Sequence, residues 1–207
     1  MRTIPPGAAG SVRSVDILTV HTSDLADGEL REIRSLTVAA FEGDFDDHDF
    51  EHCLGGMHVL VREAGALVGH GSVVQRRVVH CDRALRIGYV EAVAVRADRR
   101  RSGIGGRVMA ELERIVDGAY ELGALAATED GAGLYAGRGW HRWPGRVAVL
   151  APGGRADLPE DEQGWTYLWT PRGAAGDLRS RAPAGGAALV FDPARELLFD
   201  WRDGDVL

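Results

Sequence analysis

The chain has 207 residues, 45% of them apolar, which suits one domain with a substantial core. Its formal net charge is −7, which argues against a general nucleic-acid binder, because phosphate contacts need a basic face. All the basic side chains other than histidine are arginines, so a Schiff-base lysine and a P-loop lysine are both excluded.

Residues 1–12 read as a flexible leader rich in Pro, Gly and Ala, without an apolar signal-like run. Residues 13–207 read as one domain. "VDILTV" from Val15 is a predicted strand. "SDLADGELREIRSLTVAAF" is a predicted helix, with Ser23 or Asp24 as its cap and an apolar row at Leu30, Ile33, Leu36 and Val38. "DFDDHDFEHCLGG" is a short acidic helix or loop. Its "HDFEH" fits an inverted zinc-protease pattern, but it has no evident third ligand and reads better as an exposed acidic helix, so no metal is expected. "HVLVRE", "ALVGHGSVVQRRVV" and "ALRIGYVEAVAV" predict an antiparallel meander. "GIGGRVMAELERIVDGAYELG" is the clearest helix, with Ile104, Val108, Met109, Leu112, Ile115 and Val116 at helical spacing. "ALAAT" then gives a buried strand and "EDGAGLYAGRGW" a short helix. "RVAVLA", "GWTYLWT" and the tail "ELLFDWRDGDVL" supply further strands, and residues 171–188 read as a long loop insertion. Strand, helix, strand, helix after a meander implies an α/β (α+β) mixed sheet. Two cysteines without a C-x-x-C pair, and no long apolar run, point to a cytoplasmic protein with no membrane partner.

The segment "GYVEAVAVRADRRRSGIGGRVM" carries the chemistry. Regular alternation puts Glu91 in one row with Leu85, Ile87, Tyr89, Val93 and Val95. A carboxylate among apolar neighbours is poorly solvated, which suits a general base. Two alternatives stay open: a β-bulge that turns Glu91 to solvent, or an arginine such as Arg86 paired with it. The following turn combines Arg96, Arg99, Arg100 and Arg101 with glycines just before a strong helix. Free helix N–H groups and flexible backbone there make an anion cradle, against the alternative of a plain helix start beside solvated arginines.

The pattern R-x-x-G-x-G at Arg100, Gly103 and Gly105 resembles the acetyl-coenzyme A loop of the GNAT acetyltransferases. "AFEGDFDDHDFEHCLGGMHVL", "GYVEAVAV", "LYAGRGW" and "DWRDGDVL" narrow it: together they resemble the aminoglycoside 2′-N-acetyltransferases of actinobacteria, over about Val15 to Val206. The resemblance implies the GNAT fold, a mostly antiparallel sheet with two splayed strands flanked by helices, and acetyl-coenzyme A as cosubstrate. It implies that Arg100 and the amides of Arg101, Ser102, Gly103, Ile104, Gly105 and Gly106 hold the diphosphate. The edge Val93, Ala94 and Val95 would pair with the pantetheine arm. Glu91 would be the general base, acting through water, and Tyr135 the general acid. Asp44, Glu91, Asp161, Asp205 and the Leu207 carboxylate, with backbone at Ala92 and Ala126, would hold a polycationic aminoglycoside. A homodimer is expected. Two departures bear on the acceptor: Leu207 stands where the family ends in an aromatic residue, and the 171–188 loop is longer. Another small polyamine or protein amine as acceptor, or a non-catalytic acetyl-coenzyme A module, remain alternatives. So does a role in ordinary metabolism rather than drug resistance.

Overall fold

The computed structural model describes residues 15–171 and 191–204; the leader, most of the 171–188 loop, Asp205 and Leu207 lie outside them. β1 (Val15–His21) lines the edge of the predicted three-stranded meander, which is β2 (Met57–Glu63), β3 (Ala66–His80) and β4 (Arg83–Val95). All three pairings are antiparallel. Tight two-residue turns set the register. Ala64 and Gly65 close one hairpin and Cys81 and Asp82 the other, all four at positive φ, as such turns require. After β4 come β5 (Leu122–Ala126), β6 (His141–Arg142), β7 (Val147–Ala151), β8 (Gly154–Asp157), β9 (Thr166–Trp169) and β10 (Leu197–Asp200). The sheet runs β6-β9-β5-β4-β3-β10-β7-β8, and β2 also pairs with β3. β3 is long enough to share one edge between β2, along Ala66–Val73, and β10, at Val78–Val79.

Helix α3 (Ile104–Ala119) covers one face, packing Val108, Met109, Leu112 and Val116 on Val59, Val73 and Val90. Helix α1 (Asp27–Ala40) covers the other with Ile33 and Leu36 against Leu60. α3 sits close because β3 offers glycines beneath it. A Cβ on Gly69 would lie 2.5 Å from Ile104, and one on Gly71 2.8 Å from Leu112 and Val108. This seating fixes where the first turn of α3 points. Two shorter helices follow the expected segments: α2 (Asp47–His52), capped by the Asp46 carboxylate, and α4 (Glu129–Arg138), capped by Thr128.

Some expectations need correction. Ser23 and Asp24 lie in a short 3-10 turn, and α1 begins later, with Ala26 at its N-cap and Glu29 accepting the Ala26 N–H. The small strands β6 and β8 had no alternating apolar signal. β4 and β5 run parallel but pair only over Ile87–Tyr89 and Leu122–Ala124. Beyond Tyr89 they splay, so among the described residues Val90 to Val95 have a strand partner only on the β3 side.

Candidate functional site

The chain leaves β4 through a short 3-10 turn, Ala97–Arg99, and enters α3 through Arg100 to Gly103. Arg101 (φ 59°) and Gly103 (φ 86°) both take left-handed backbone, which wraps the loop. Gly103 is the N-cap of α3, no side chain among the described residues caps that end, and no acidic residue stands in the first turn. The positive end of α3 is thus left for an outside anion. The charges around it are fewer than the arginine run suggests. Arg96 pairs with Asp98, and Arg99 pairs with Glu63 and Asp98. Arg100 donates to the Ala40 carbonyl at 2.7 Å, tying the loop to the end of α1. Arg101 makes no ion pair among the described residues. Packing does not demand glycine at position 106, where the nearest atom to an added Cβ would be Arg138 Nη1, 3.6 Å away. The open space lies over the free amides.

The exposed edge of β4 begins at Glu91. Ser72 pairs with Glu91 and His70 with Ala94, so Ala92 and Val93 together face the single residue Gly71. That is a β-bulge, with Ala92 at φ 48°. It overturns the regular alternation: Leu85, Ile87 and Tyr89 face one core, whereas Val93 and Val95 turn to the α3 side. Glu91, just before the bulge, keeps the Tyr89 face and is half-buried. Its neighbours include Cys53, whose thiol is pushed far up by burial, with the Glu91 charge adding to the effect.

Behind the bulge lies a polar chain of two buried histidines and the half-buried Thr22. His70 Nδ1 is 3.0 Å from the Ala92 carbonyl, His58 Nδ1 is 3.0 Å from His70 Nε2, and Thr22 Oγ1 is 2.8 Å from His58 Nε2. Burial lowers His58 to about 4 and His70 to about 3, from 6.5. Both folded-state values lie below the unfolded one, so the associated stability is present above pH 6.5 and is lost as pH falls towards 4 and 3. The unfolded chain then binds up to two more protons, a slope of up to about 2.7 kcal/mol per pH unit. Urea midpoints should therefore fall between pH 6.5 and 4.5, before most carboxylates titrate; a flat profile there would contradict the neutral pair.

Tyr135 sits on α4, 7% exposed, with its ring near Trp140 and Tyr167. Gly131, one turn earlier, leaves room for it, since a Cβ there would be 3.1 Å from the ring. Burial pushes the phenol up to about 12. The buried Glu113 of α3 locks α4 in place by accepting from Arg138 Nε and Nη2 and from Trp140 Nε1.

On the other side of Glu91, α2 approaches β4. α2 grips the chain end: His52 Nε2 is 2.8 Å from the Asp203 carbonyl, and Arg202 donates to the His52 carbonyl at 3.1 Å. The end of β10 is anchored through Arg76, which is buried and pairs with Asp200 at 2.9 Å. His52 therefore serves as a clamp, a role its place in "HDFEH" did not suggest; no group of three metal-ligating side chains occurs among the described residues. Asp44 is exposed just ahead of α2. Ala126 ends β5 opposite Thr166. Asp161 is exposed in the turn that leads into β9, without a partner among the described residues.

The Acetyltransferase (GNAT) family model matches residues 28–140, from the start of α1 past the end of α4. The chain belongs to the GNAT acetyltransferase family. The aminoglycoside 2′-N-acetyltransferase of Mycolicibacterium fortuitum is 49% identical over 188 residues, covering 90% of this chain and 89% of that protein. The Escherichia coli GNAT protein YhbS, solved in complex with CoA, matches with a TM-score of 0.59 at 15% identity, over 98% of this chain and 94% of that one. Escherichia coli ElaA matches with a TM-score of 0.53 at 17% identity, over 75% and 99%.

GNAT enzymes take acetyl-coenzyme A as acetyl donor. The residues of this chain fit that molecule. A helix start that no described side chain caps, with room over Gly106, suits a diphosphate, and a strand edge without a partner among the described residues suits an extended amide-bearing arm. No helix among the described residues is long and apolar enough to cross a membrane.

Proposed function

We propose that this GNAT enzyme transfers an acetyl group from acetyl-coenzyme A to the 2′-amino group of an aminoglycoside. The observation that carries the reading is the 49% identity to the Mycolicibacterium fortuitum enzyme across nine-tenths of both chains. The acidic surroundings of the open face support it. Asp44, Asp46, Asp47, Asp49 and Glu51 cluster at α2, and Asp203 is clamped against that helix. A polycation is drawn to such a surface. The main-chain hydrogen bond from Asp49 holds the Asp46 carboxyl below its ordinary value, so it stays charged.

In this reading, the amides of Arg101 to Gly106 hold the diphosphate, with Arg100 bracing the loop from behind. Val93 to Val95 hold the pantetheine arm. Acetyl-coenzyme A supplies the acetyl group as a thioester. Glu91 takes a proton from the incoming ammonium through a water, which frees the nitrogen lone pair for attack. The Val93 N–H stabilises charge building on the acetyl oxygen. As the C–S bond breaks, Tyr135 donates a hydrogen bond to the leaving sulfur, and the thiolate takes up the proton that the newly acylated nitrogen sheds. A phenol at about 12 lies about 3.5 units above an ordinary thiol, so full transfer is uphill by about 5 kcal/mol. Its contribution is therefore a hydrogen bond that strengthens as the sulfur gains charge. Tyr135→Phe should lower kcat roughly tenfold, within the reach of one such bond. The raised phenol stays protonated to about pH 12, so the wild-type pH–rate profile should show no alkaline fall from this group below pH 11. A profile that falls with a midpoint near 9 in wild type, but not in the Phe variant, would put the phenol at an ordinary value and contradict this.

The deciding experiment is a thiol-release assay with acetyl-coenzyme A and aminoglycosides with and without a 2′-amine. Turnover confined to the first set is the expected result. Equal rates on both sets would remove the 2′ assignment, and no turnover on either would remove the aminoglycoside as acceptor.

A further inference from the structure

We propose that His70, backed by His58 and Thr22, is a positioning residue that aims the Val93 N–H at the reacting acetyl carbonyl. The proposal rests on the acetyl-transfer reading above and adds a fully buried residue that acts through the backbone of β4.

The polar chain behind the bulge has a fixed direction. The Ala92 carbonyl can only accept, so His70 must carry its proton on Nδ1. Its Nε2 is then an acceptor, and His58 must donate to it from Nδ1. That leaves His58 Nε2 to accept from the Thr22 hydroxyl, which at 2.8 Å is nearer to it than to the Gly56 carbonyl at 3.2 Å. The Thr22 oxygen accepts in turn from Gly55 N–H at 2.9 Å and Gly56 N–H at 3.3 Å. One acceptor at the Ala92 end thus sets both tautomers. Both rings are 0% exposed, so neither can exchange its partner for water. Burial keeps both neutral over the working pH range, and the arrangement holds throughout it.

The far end of the chain is the bulge itself. A trans peptide unit is planar, with its C=O and N–H on opposite sides. No cis peptide is present among the described residues. When His70 draws the Ala92 carbonyl to itself, the Val93 N–H of the same unit must point away from His70. The Ala92 φ of 48° costs a non-glycine residue of order 1 kcal/mol, and such a conformation persists only where surroundings enforce it. The His70 hydrogen bond is one such enforcement. Without it, the Ala92–Val93 unit loses that enforcement while the rest of β4 stays in its ladder.

Three substitutions separate this role from plain packing. His70→Leu keeps the bulk and removes the donor. His70→Asn places an amide nitrogen where Nδ1 stood and keeps the bond to Ala92. His70→Gln places its nitrogen near the old Nε2, towards His58, and loses Ala92. The single-turnover rate of acetyl transfer should fall at least tenfold in the Leu and Gln variants and stay within threefold of wild type in the Asn variant. Coenzyme A dissociation constants, by calorimetry, should stay within twofold in all three. If the Leu variant does not fold, the Asn–Gln pair carries the same comparison. Equal rates in the Asn and Gln variants, or a loss of coenzyme affinity as large as the loss of rate, would overturn the proposal. A wild-type protein that binds no coenzyme A would instead sink the parent reading. A different amine acceptor would leave the variant ratios unchanged.

Discussion

Glu91→Gln is expected to lower acetyl transfer at pH 7 by about a hundredfold or more, the usual contribution of a positioned general base. The amide has the same shape as the carboxylate, so the Ser72–Glu91 pairing and the bulge that follows can remain. The cradle at Gly103 to Gly106 and the open edge from Val93 lie beyond the substituted side chain, so coenzyme A affinity should be unchanged. The change removes the proton acceptor that makes an ammonium group nucleophilic. The deficit should therefore shrink as pH rises, because bulk water then supplies the neutral amine. A deficit that is constant from pH 7 to 9.5 would assign Glu91 to binding the cation rather than to accepting its proton. Wild-type turnover would remove it from the site.

The position of Glu91 shows how far the sequence could be read. "GYVEAVAV" was legible as a buried strand because apolar residues fall in both rows of its alternation. That same property hid the bulge. Valines at 90, 93 and 95 fit either phase of the alternation, so nothing in the string marks where the phase changes. A bulge is often signalled by glycine, but here Ala92 takes the positive φ, held by a histidine 22 residues earlier. The expectation that Glu91 shares a face with Tyr89 was right, and the extension of that face to Val93 and Val95 was not.

Charge was legible in the same partial way. Four arginines in one turn suggested a strongly basic cradle. Two of them are neutralised by acids, one of which, Glu63, lies 36 residues away on β2. The backbone does more than the side chains at this site, and the glycine pattern signalled that part. The acceptor side was the least legible. The clamp between His52 and Asp203 joins segments 151 residues apart, and no local pattern reports such a contact. Asp205 and Leu207 lie outside the described residues, so the reading there rests on resemblance.

Gly106→Asp tests the cradle in a way that separates binding from folding. Position 106 is the third residue of α3, where an acidic side chain normally stabilises a helix. Replacing glycine inside a helix is also favourable. The new side chain meets no clash, and Arg138 Nη1, 3.6 Å from its Cβ, offers a partner. Together these should stabilise the protein by about 1 kcal/mol and raise Tm by about 2–4 °C. The same carboxylate places a fixed negative charge beside the diphosphate. Two unit charges 4 Å apart repel by about 4 kcal/mol at an effective dielectric of 20, more than a hundredfold in affinity. The apparent KM for acetyl-coenzyme A should therefore rise at least a hundredfold while the protein melts higher. Gly106→Asn, equal in size but uncharged, should show only a small part of the KM effect, because bulk alone does not repel a phosphate. A KM unchanged in the Asp variant would mean that the coenzyme phosphates bind elsewhere. If Asn matched Asp, the space over Gly106, rather than the charge at the helix start, would be what the coenzyme requires.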